Sequence, residues 1–171
     1  MQMVKRTVGG FILLILFLWI FAPKQEIYYL LEKNLATKGI VISNEKFKEG
    51  LWGIEITNAD IYLEGINIAK AASLEMDLFF LYNQLRLSSV TTDKGIHNYA
   101  PKSIKNLSAT FSILKPYKIA IEGDGSFGSV TGGLYFDRHK LLLRFKNIKD
   151  IQAFKKFLKK DKKGLYYEKS Y

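Results

Sequence analysis

The sequence predicts a mainly β protein: an N-terminal transmembrane helix, then an antiparallel β meander, sandwich or curved open sheet, and finally a C-terminal basic amphipathic helix. Three observations lead to this fold class. An unbroken apolar run occupies positions 8–22, apolar and polar residues alternate from Gly39 onward, and helical spacing returns near the end. Alternation is typical of strands with one buried face, whereas a spacing of three and four is typical of helices.

The apolar run begins after Lys5 and Arg6 and is closed by Pro23 and Lys24. As a helix this run is about 22 Å long, shorter than the hydrocarbon core of a bilayer, which is about 30 Å thick. The helix can still span the core if Lys5 and Arg6 snorkel to the membrane surface and if the apolar residues past Lys24 are counted. No A-x-A pair precedes Pro23, so we expect an uncleaved anchor; a cleaved signal peptide and a buried core helix are the alternatives. The expected anchor residues are Val8, Gly9, Gly10, Phe11, Ile12, Leu13, Leu14, Ile15, Leu16, Phe17, Leu18, Trp19, Ile20, Phe21 and Ala22.

The charges beside the run predict its orientation. Because cations next to a membrane segment stay in the cytoplasm, residues 1–7 form a cytoplasmic basic N-terminus and residues 8–23 the anchor. The chain after Pro23 then lies on the far side, first as a juxtamembrane helix over 24–38. That helix bends at Pro23 and ends before Gly39. Its expected apolar face comprises Ile27, Leu30, Leu31, Asn34 and Leu35.

From Gly39 the alternation predicts consecutive strands. Ile40 and Ile42 mark the first strand, and Ile54 and Ile56 mark another. In this second strand the apolar residues change from even to odd positions near Asn58, so we expect a bulge or bend there. The next strand points Leu74, Met76, Leu78 and Phe80 inward.

Turns and loops separate the remaining strands. We expect a tight turn at 82–84, with Glu75 and Asp77 pairing across it with Arg86. A loop over 91–102 would divide the sheet into two halves. Strands then follow at 107–113 and 117–122, and a further pair flanks a turn at 137–139. No helices intervene, which favours a meander.

The tail predicts a basic amphipathic helix followed by a strand at 165–168. The helical face comprises Ile148, Ile151, Phe154, Phe157 and Leu158, and Gly164 ends the segment. We expect its lysines to contact an anionic surface or partner; the alternative is a helix packed on the sheet with its lysines in solvent. These lysines are Lys155, Lys156, Lys159, Lys160, Lys162 and Lys163.

Charge and composition limit the partners. The formal charge of +10 favours lipid headgroups, lipopolysaccharide or acidic proteins, and an exported domain is not expected to meet nucleic acid. Cysteine is absent, which excludes disulfides, thiolate metal sites and a cysteine nucleophile.

The sequence contains no clear catalytic, nucleotide-binding or metal-binding motif. Residues 123–128 match G-x-G-x-x-G, but a strand pattern follows them, which favours a glycine-rich hairpin over a nucleotide site. His97 and His139 lie in separate loops, as surface residues rather than a metal pair. Glu122, Asp124 and Asp137 could bind calcium or act as acid and base, although Asp124 between glycines is more simply a turn former.

We therefore expect no enzyme, no cofactor and no metal. The enzyme alternative is a hydrolase that uses His139 with Asp137.

Two apolar features of the sequence are candidates for binding a partner or ligand. Trp52 could be an interaction anchor, although packing in the core at the start of a strand is the favoured interpretation. Residues 78–81 and 141–143 are apolar on both faces, more than one buried face requires. They give the candidate residues of an apolar groove: Phe79, Leu81 and Leu142.

The order of these parts resembles the type II secretion system protein N family, within the wider AsmA-like group of bacterial envelope proteins. The likeness lies in the anchor and short helix, residues 38–42 leading into Gly50-Leu51-Trp52-Gly53 and on to residue 59, the strand and turn at 74–85, the glycine-rich 123–134, and the ending at 164–168.

The resemblance implies a single-pass protein of the bacterial inner membrane, with residues 39–171 as a periplasmic β-rich domain. The expected function is a non-enzymatic accessory or scaffold subunit of an envelope-spanning machine, with other envelope proteins as partners. The alternative is lipid or lipopolysaccharide binding and transfer by an apolar groove on a curved sheet.

Overall fold

In the part of the chain that the structure describes, one continuous sheet of antiparallel strands follows two helices. The computed structural model describes residues 2–21, 24–79, 81–151 and 155–171. The helices are α1, Gln2–Ile20, and α2, Lys24–Ala36. The strands are β1 Ile40–Ser43, β2 Lys46–Glu49, β3 Gly53–Leu63, β4 Ile66–Phe79, β5 Tyr82–Thr92, β6 Ser103–Ser112, β7 Lys118–Gly125, β8 Gly128–Tyr135, β9 Lys140–Lys146, β10 Lys159–Asp161 and β11 Gly164–Ser170.

The strands follow the order β1-β3-β4-β5-β6-β7-β8-β9-β11-β10, and β2 continues the edge that β1 begins along β3. All the pairs are antiparallel, and the sheet is open, with β1 and β2 at one edge and β10 at the other. The predicted mainly β fold with an antiparallel open sheet is confirmed.

Because the strands run up and down, their connections collect at two ends of the sheet. The apolar rim comprises the connections at 50–52, 81, 113–117 and 136–139, together with Tyr171. The basic rim comprises the connections at 64–65, 93–102, 126–127, 147–158 and 162–163. Of residues 147–158, positions 152–154 lie outside the described residues.

A first core forms where α2 lies on the inner face of the sheet, against β1 and β3. Tyr28 is 1% exposed, its ring centroid lies 5.7 Å from that of Phe47, and its hydroxyl donates to Glu45 Oε1 at 3.4 Å. Burial and the nearby Glu45 carboxylate raise the pKa of the Tyr28 phenol. The buried residues of this core are Tyr28, Ile54, Ile56, Ala59, Ala69, Ala71, Met76 and Val90.

The predicted apolar face of α2 is only partly right, since Leu31 and Leu35 are half-buried but the other three members are not. Ile27, Leu30 and Asn34 are exposed, whereas Lys24 and Tyr28 are buried. The reason is that the Tyr28 ring packs on Phe47, which turns the face centred on Tyr28 toward the sheet.

Of the bulge or bend expected near Asn58, the structure has a bend with the β3–β4 register unbroken, and a similar feature recurs on a neighbouring strand. Asn58 has φ +58° and Ser89 on β5 has φ +51°. The pairs on either side are Ile56 with Leu74 and Ala59 with Ala71, so one extra residue separates two inward positions on both strands. On the next pair, β6 and β7, the register itself shifts near Lys105, as at a β-bulge. These irregularities keep the apolar residues on the inner face.

A second core lies near the basic rim under β8 and β9. Its buried residues are Phe127, Val130 and Ile151, and Phe145, Leu158 and Leu165 pack against them.

The predicted tail helix is wrong in the described residues. Lys155–Phe157 form one 3₁₀ turn, and the chain then enters β10. β10 is held by pairing with β11 and by an ion pair, 2.8 Å, between Asp161 Oδ2 and Arg144 Nη2. Phe154 of the predicted helical face lies outside the described residues.

Two further corrections concern connections. The β4–β5 turn lies at residue 81 rather than 82–84, because Phe79 already pairs with Tyr82; the inward position predicted for Phe80 lies outside the described residues. The loop at 93–102 does not divide the sheet, since Val90 and Ile104 pair across it.

The N-terminal helix α1 carries exposed apolar side chains in all directions. The consecutive residues Phe11, Ile12, Leu13 and Leu14 are between 52% and 68% exposed. Among the described residues, neither helix combines the length and apolarity needed to cross a membrane. Ala22 of the expected anchor and the bend expected at Pro23 lie outside the described residues.

Candidate functional site

An apolar strip lies on the inner face of the sheet between the two cores. Cross-strand pairing aligns Ala109, Ile121, Gly132 and Leu143 in one row, and Phe111, Ile119, Leu134 and Leu141 in the next. Residues that pair directly share a face of the sheet, so both rows project to one side. We call Phe111, Ile119, Ile121, Leu134 and Leu141 the open strip.

The open strip is incompletely covered. All five of its side chains are half-buried. On one side, Leu85 of β5 packs against the first core; on the other, Leu143 of β9 packs against the second. An apolar sheet face normally lies against a second layer. The open strip is therefore the part of the inner face best suited to receive an apolar ligand.

Small residues shape this region. Gly132 lies between Ile121 and Leu143 in its row, and Gly123 lies between Leu107 and Val130 nearer the basic rim. Neither glycine leaves open space, because a Cβ atom at Gly132 would clash with the Leu142 carbonyl oxygen and one at Gly123 would lie 2.9 Å from Leu107 Cδ1; neighbouring groups approach closely here.

The expected groove residues are not brought together. Phe79 is 38% exposed and Leu81 is 45% exposed, and both lie at or beside the apolar rim. Leu142 pairs with Gly133 and Glu168, which places it on the polar outer face, opposite to Leu141 and Leu143.

Sequence reasoning identified the alternation of Ile119 and Ile121 but missed the strip as a whole. The signal was present in the matching alternation of β6 to β9, although the sequence does not show which stretch of the inner face remains uncovered.

The expected basic residues cluster at one corner of the sheet. Lys155 and Lys156 form the 3₁₀ turn, Lys159 and Lys160 belong to β10, and Lys162 and Lys163 form the β10–β11 turn. All six are exposed. We call them the lysine corner; it lies on the basic rim at the edge farthest from α2.

The lysine corner is partly balanced by carboxylates. Lys159 Nζ lies 3.7 Å from Glu168 Oε1, and Lys140 Nζ lies 2.6 Å from Glu168 Oε2. Lys140 holds the pKa of the Glu168 carboxyl below its usual range, and the Arg144 guanidinium does the same for Asp161.

The polar outer face carries the predicted charge cluster on β4 and β5. Arg86 Nη2 lies 2.7 Å from Glu75 Oε2 and 2.8 Å from Asp77 Oδ2, which confirms the expected pairing. Hydrogen bonding to Glu75 raises the pKa of the Arg86 guanidinium. Each group in this cluster has an opposite charge beside it, so its arrangement is that of a structural ion-pair network.

The candidate chemical residues do not converge. His97 lies in the loop of the basic rim with Nε2 3.2 Å from the Thr92 carbonyl oxygen, while His139 lies in the apolar rim against the Tyr171 ring. Asp124 is near the basic rim end of β7, and Asp137 pairs with Arg138 at 3.4 Å at the opposite end. Within the described residues, no group of three or more metal-ligating side chains is found.

The glycine-rich motif at 123–128 is a hairpin, as predicted. Gly125 pairs with Gly128 across a two-residue turn, and β8 follows directly. Gly128 has φ +97°, and a Cβ atom there would lie 2.2 Å from the Asn147 carbonyl oxygen. These glycines are therefore explained by backbone geometry.

Trp52 is not a core residue. It lies in the apolar rim, 44% exposed, with its ring edge-on to Phe79 at 5.4 Å between centroids. The expected packing in the core is wrong because the β2–β3 turn places the side chain at the end of the sheet rather than on its inner face.

Comparison with known proteins finds no similar family model, curated sequence or solved structure.

Proposed function

We propose that this chain is a non-enzymatic, membrane-anchored envelope protein that binds the acyl chains of a lipid or lipopolysaccharide on its open strip. The observation that carries the proposal is the incomplete cover over Phe111, Ile119, Ile121, Leu134 and Leu141. The proposed location is the bacterial inner membrane, with the sheet in the periplasm.

Burial of apolar surface supplies the driving force. Each methylene group removed from water contributes about 0.8 kcal/mol, so about ten methylenes on the strip give a gross gain of about 8 kcal/mol. Ordering the chain and fixing the ligand offset much of this gain. The net affinity is therefore much weaker than the gross gain.

The anchor is supported by the character of α1. Four consecutive exposed apolar residues, 11–14, point in all directions around the helix, because successive residues turn by about 100°. A helix that is apolar all round suits a membrane or a protein core. The proposed span, 8–23, includes residues 22 and 23, which lie outside the described residues.

A photocrosslinking experiment tests the lipid proposal. The photoreactive residue p-benzoylphenylalanine replaces Ile121 in one variant and Ala120 in another, in full-length protein within bacterial membranes. These neighbours on β7 point to opposite faces, so the second variant is a matched control. We expect lipid adducts, detected by mass spectrometry, from position 121 alone. Equal adducts at both positions, or none at 121, would contradict the proposal.

A second candidate function is the accessory or scaffold role that the resemblance to the type II secretion family implies. The observation that favours it is an open edge: β10 covers β11 only from Gly164 to Tyr166. Among the described residues, no strand pairs with the outer edge of β11 from Tyr167 to Ser170. Such an edge can accept a strand from a partner.

The same photoreactive residue distinguishes this role. It replaces Lys169 on β11 in one variant and Ser108 on the central strand β6 in another. A partner that adds a strand should give a protein adduct from position 169 and not from position 108. Adducts of equal size and yield from both positions would argue against strand addition.

A further inference from the structure

We propose that the apolar rim rests against the bilayer that holds α1 and inserts its exposed side chains among anionic headgroups. This inference rests on the proposed membrane anchor and goes beyond it, because it identifies which surface of the sheet meets the lipid.

The rim carries an unusual density of exposed large apolar side chains. Leu114 is 87% exposed, the highest value among them. The set comprises Leu51, Trp52, Leu81, Ile113, Leu114, Tyr117, Phe136 and Tyr171 of the rim, together with Phe79 and Tyr82 at the adjoining strand ends. Exposed apolar patches of this kind mark surfaces that bind a membrane or another protein.

Backbone hydrogen bonds join neighbouring turns of the rim. Leu78 N–H donates to the Trp52 carbonyl at 2.8 Å, and Ile113 N–H donates to the Leu81 carbonyl at 3.0 Å. Farther along, Phe136 N–H donates to the Tyr117 carbonyl at 2.8 Å. The exposed side chains are therefore held on consecutive, linked turns.

The chain enters the sheet domain at this rim. Lys24 Nζ lies 3.9 Å from Glu49 Oε1, and Glu49 is the last residue of β2, directly before the rim turn at 50–52. Three peptide steps separate Phe21 from Lys24, so their Cα atoms are at most about 11 Å apart. The end of α1 is thus tied to the apolar rim.

Charge at the rim fits anionic headgroups. Lys115 is exposed, and Lys118 and Arg138 flank the Tyr135 ring, with Nζ and Cζ respectively 5.8 Å and 5.9 Å from its centroid. Arg138 also pairs with Asp137 at 3.4 Å. Aromatic side chains and cations together favour the headgroup layer of a membrane. We therefore commit to a lipid bilayer as the occupant, rather than a second copy or a partner protein.

Tryptophan quenching in vesicles tests this contact. The chain has two tryptophans, Trp19 and Trp52, and replacing both by Phe gives a silent background. Leu114→Trp then places a probe on the apolar rim. Ile66→Trp places a matched probe at the first residue of β4, directly beside the basic rim, where the native side chain is 69% exposed. Full-length variants are reconstituted into vesicles of phosphatidylcholine and phosphatidylglycerol with brominated acyl chains.

We expect at least twofold quenching and a blue-shifted emission for Leu114→Trp, and no quenching for Ile66→Trp. Replacing Lys115, Lys118 and Arg138 by Gln should reduce the quenching when phosphatidylglycerol is present. Circular dichroism that matches the native spectrum confirms that each variant is folded.

Each alternative result overturns the contact. Equal quenching of both probes, or none at Leu114→Trp while the protein floats with the vesicles, refutes the rim contact and leaves the anchor standing. A rim probe shielded from both bromine and aqueous acrylamide shows that protein covers the rim instead. A chain that fails to float refutes the anchor and the rim contact together.

Discussion

Docking of α2 onto the sheet should depend mainly on one side chain, Tyr28. This residue is 1% exposed, and its ring packs against that of Phe47 at a tilt of 53°, with 5.7 Å between ring centroids. Tyr28→Ala removes the ring from the first core and leaves a cavity next to Ile56, which is 0% exposed. Removing a large buried aromatic side chain in this way costs about 3–5 kcal/mol of folding free energy.

Two matched variants separate the ring from its hydroxyl. Tyr28→Phe keeps the ring and loses only the hydrogen bond to Glu45, which at 3.4 Å is long, so the expected cost is below about 1 kcal/mol. Tyr29→Ala removes the neighbouring ring, which is 51% exposed, and should cost about 0.5 kcal/mol or less.

Denaturant unfolding of the full chain in detergent micelles measures these differences, and amide exchange locates them. Tyr28→Ala should accelerate exchange in β1 and β2, the strands beside α2, and leave β7 and β8 unchanged. If Tyr28→Ala and Tyr29→Ala were destabilised equally, the assignment of α2 docking to the Tyr28 ring would be refuted.

Three further predictions concern the backbone, the outer face and acid. Gly128→Ala should lower the unfolding free energy, measured by denaturant titration, by about 2–4 kcal/mol, because the residue has positive φ and its new Cβ atom would clash with the backbone. In the control variant Gly65→Ala, φ is +83° but the Cβ atom enters open space, so the expected cost is about 1 kcal/mol. Arg86→Met leaves two carboxylates on β4 without their guanidinium and should cost about 1 kcal/mol, a difference that 1 M salt reduces. Folding lowers the pKa of the Asp161 carboxyl from its usual value of 3.8. The stabilisation from this carboxylate is therefore present above pH 3.8 and is lost as the pH falls through the folded-state pKa. Amide exchange of β10 should become faster as the pH falls through this range, and Asp161→Asn should remove the pH response.

Local periodicity was sufficient to predict most of the sheet. The shift in apolar phase at Asn58 predicted a bulge or bend because one extra residue inverts the facing of a strand, and the structure has a bend there, with φ +58°. The pairing of Glu75 and Asp77 with Arg86 followed from a short hairpin, in which residues close in sequence must meet.

The misplaced elements depend on contacts between distant parts of the chain. Residues 148–158 have helical spacing, but Lys155–Phe157 form only one 3₁₀ turn, Lys159–Asp161 pair with β11, and Asp161 bonds with Arg144 on β9. Such tertiary pairing outweighs a weak local preference for helix. The buried face of α2 was likewise set by Phe47, which lies on a different element.

The candidate site was the least predictable part. Leu141, Leu142 and Leu143 are alike in sequence, yet cross-strand register sends Leu142 to the outer face and the other two to the inner face. Whether an inner-facing residue is covered depends on which other segment reaches it. Alternation within one strand carries no information on that point.

The position of the lysine corner has an electrostatic consequence. The lysine corner lies at the Gly164 end of β11, and Tyr171 of the apolar rim follows the other end of the same strand, so five to seven residues at about 3.4 Å each put about 17–24 Å between them. At physiological ionic strength the Debye length is about 8 Å, so charge on a bilayer touching the opposite rim would be largely screened at that corner. The six lysines therefore act as an independent cationic surface, whose attraction for an acidic partner would respond to salt separately from the attachment of the chain to its own membrane.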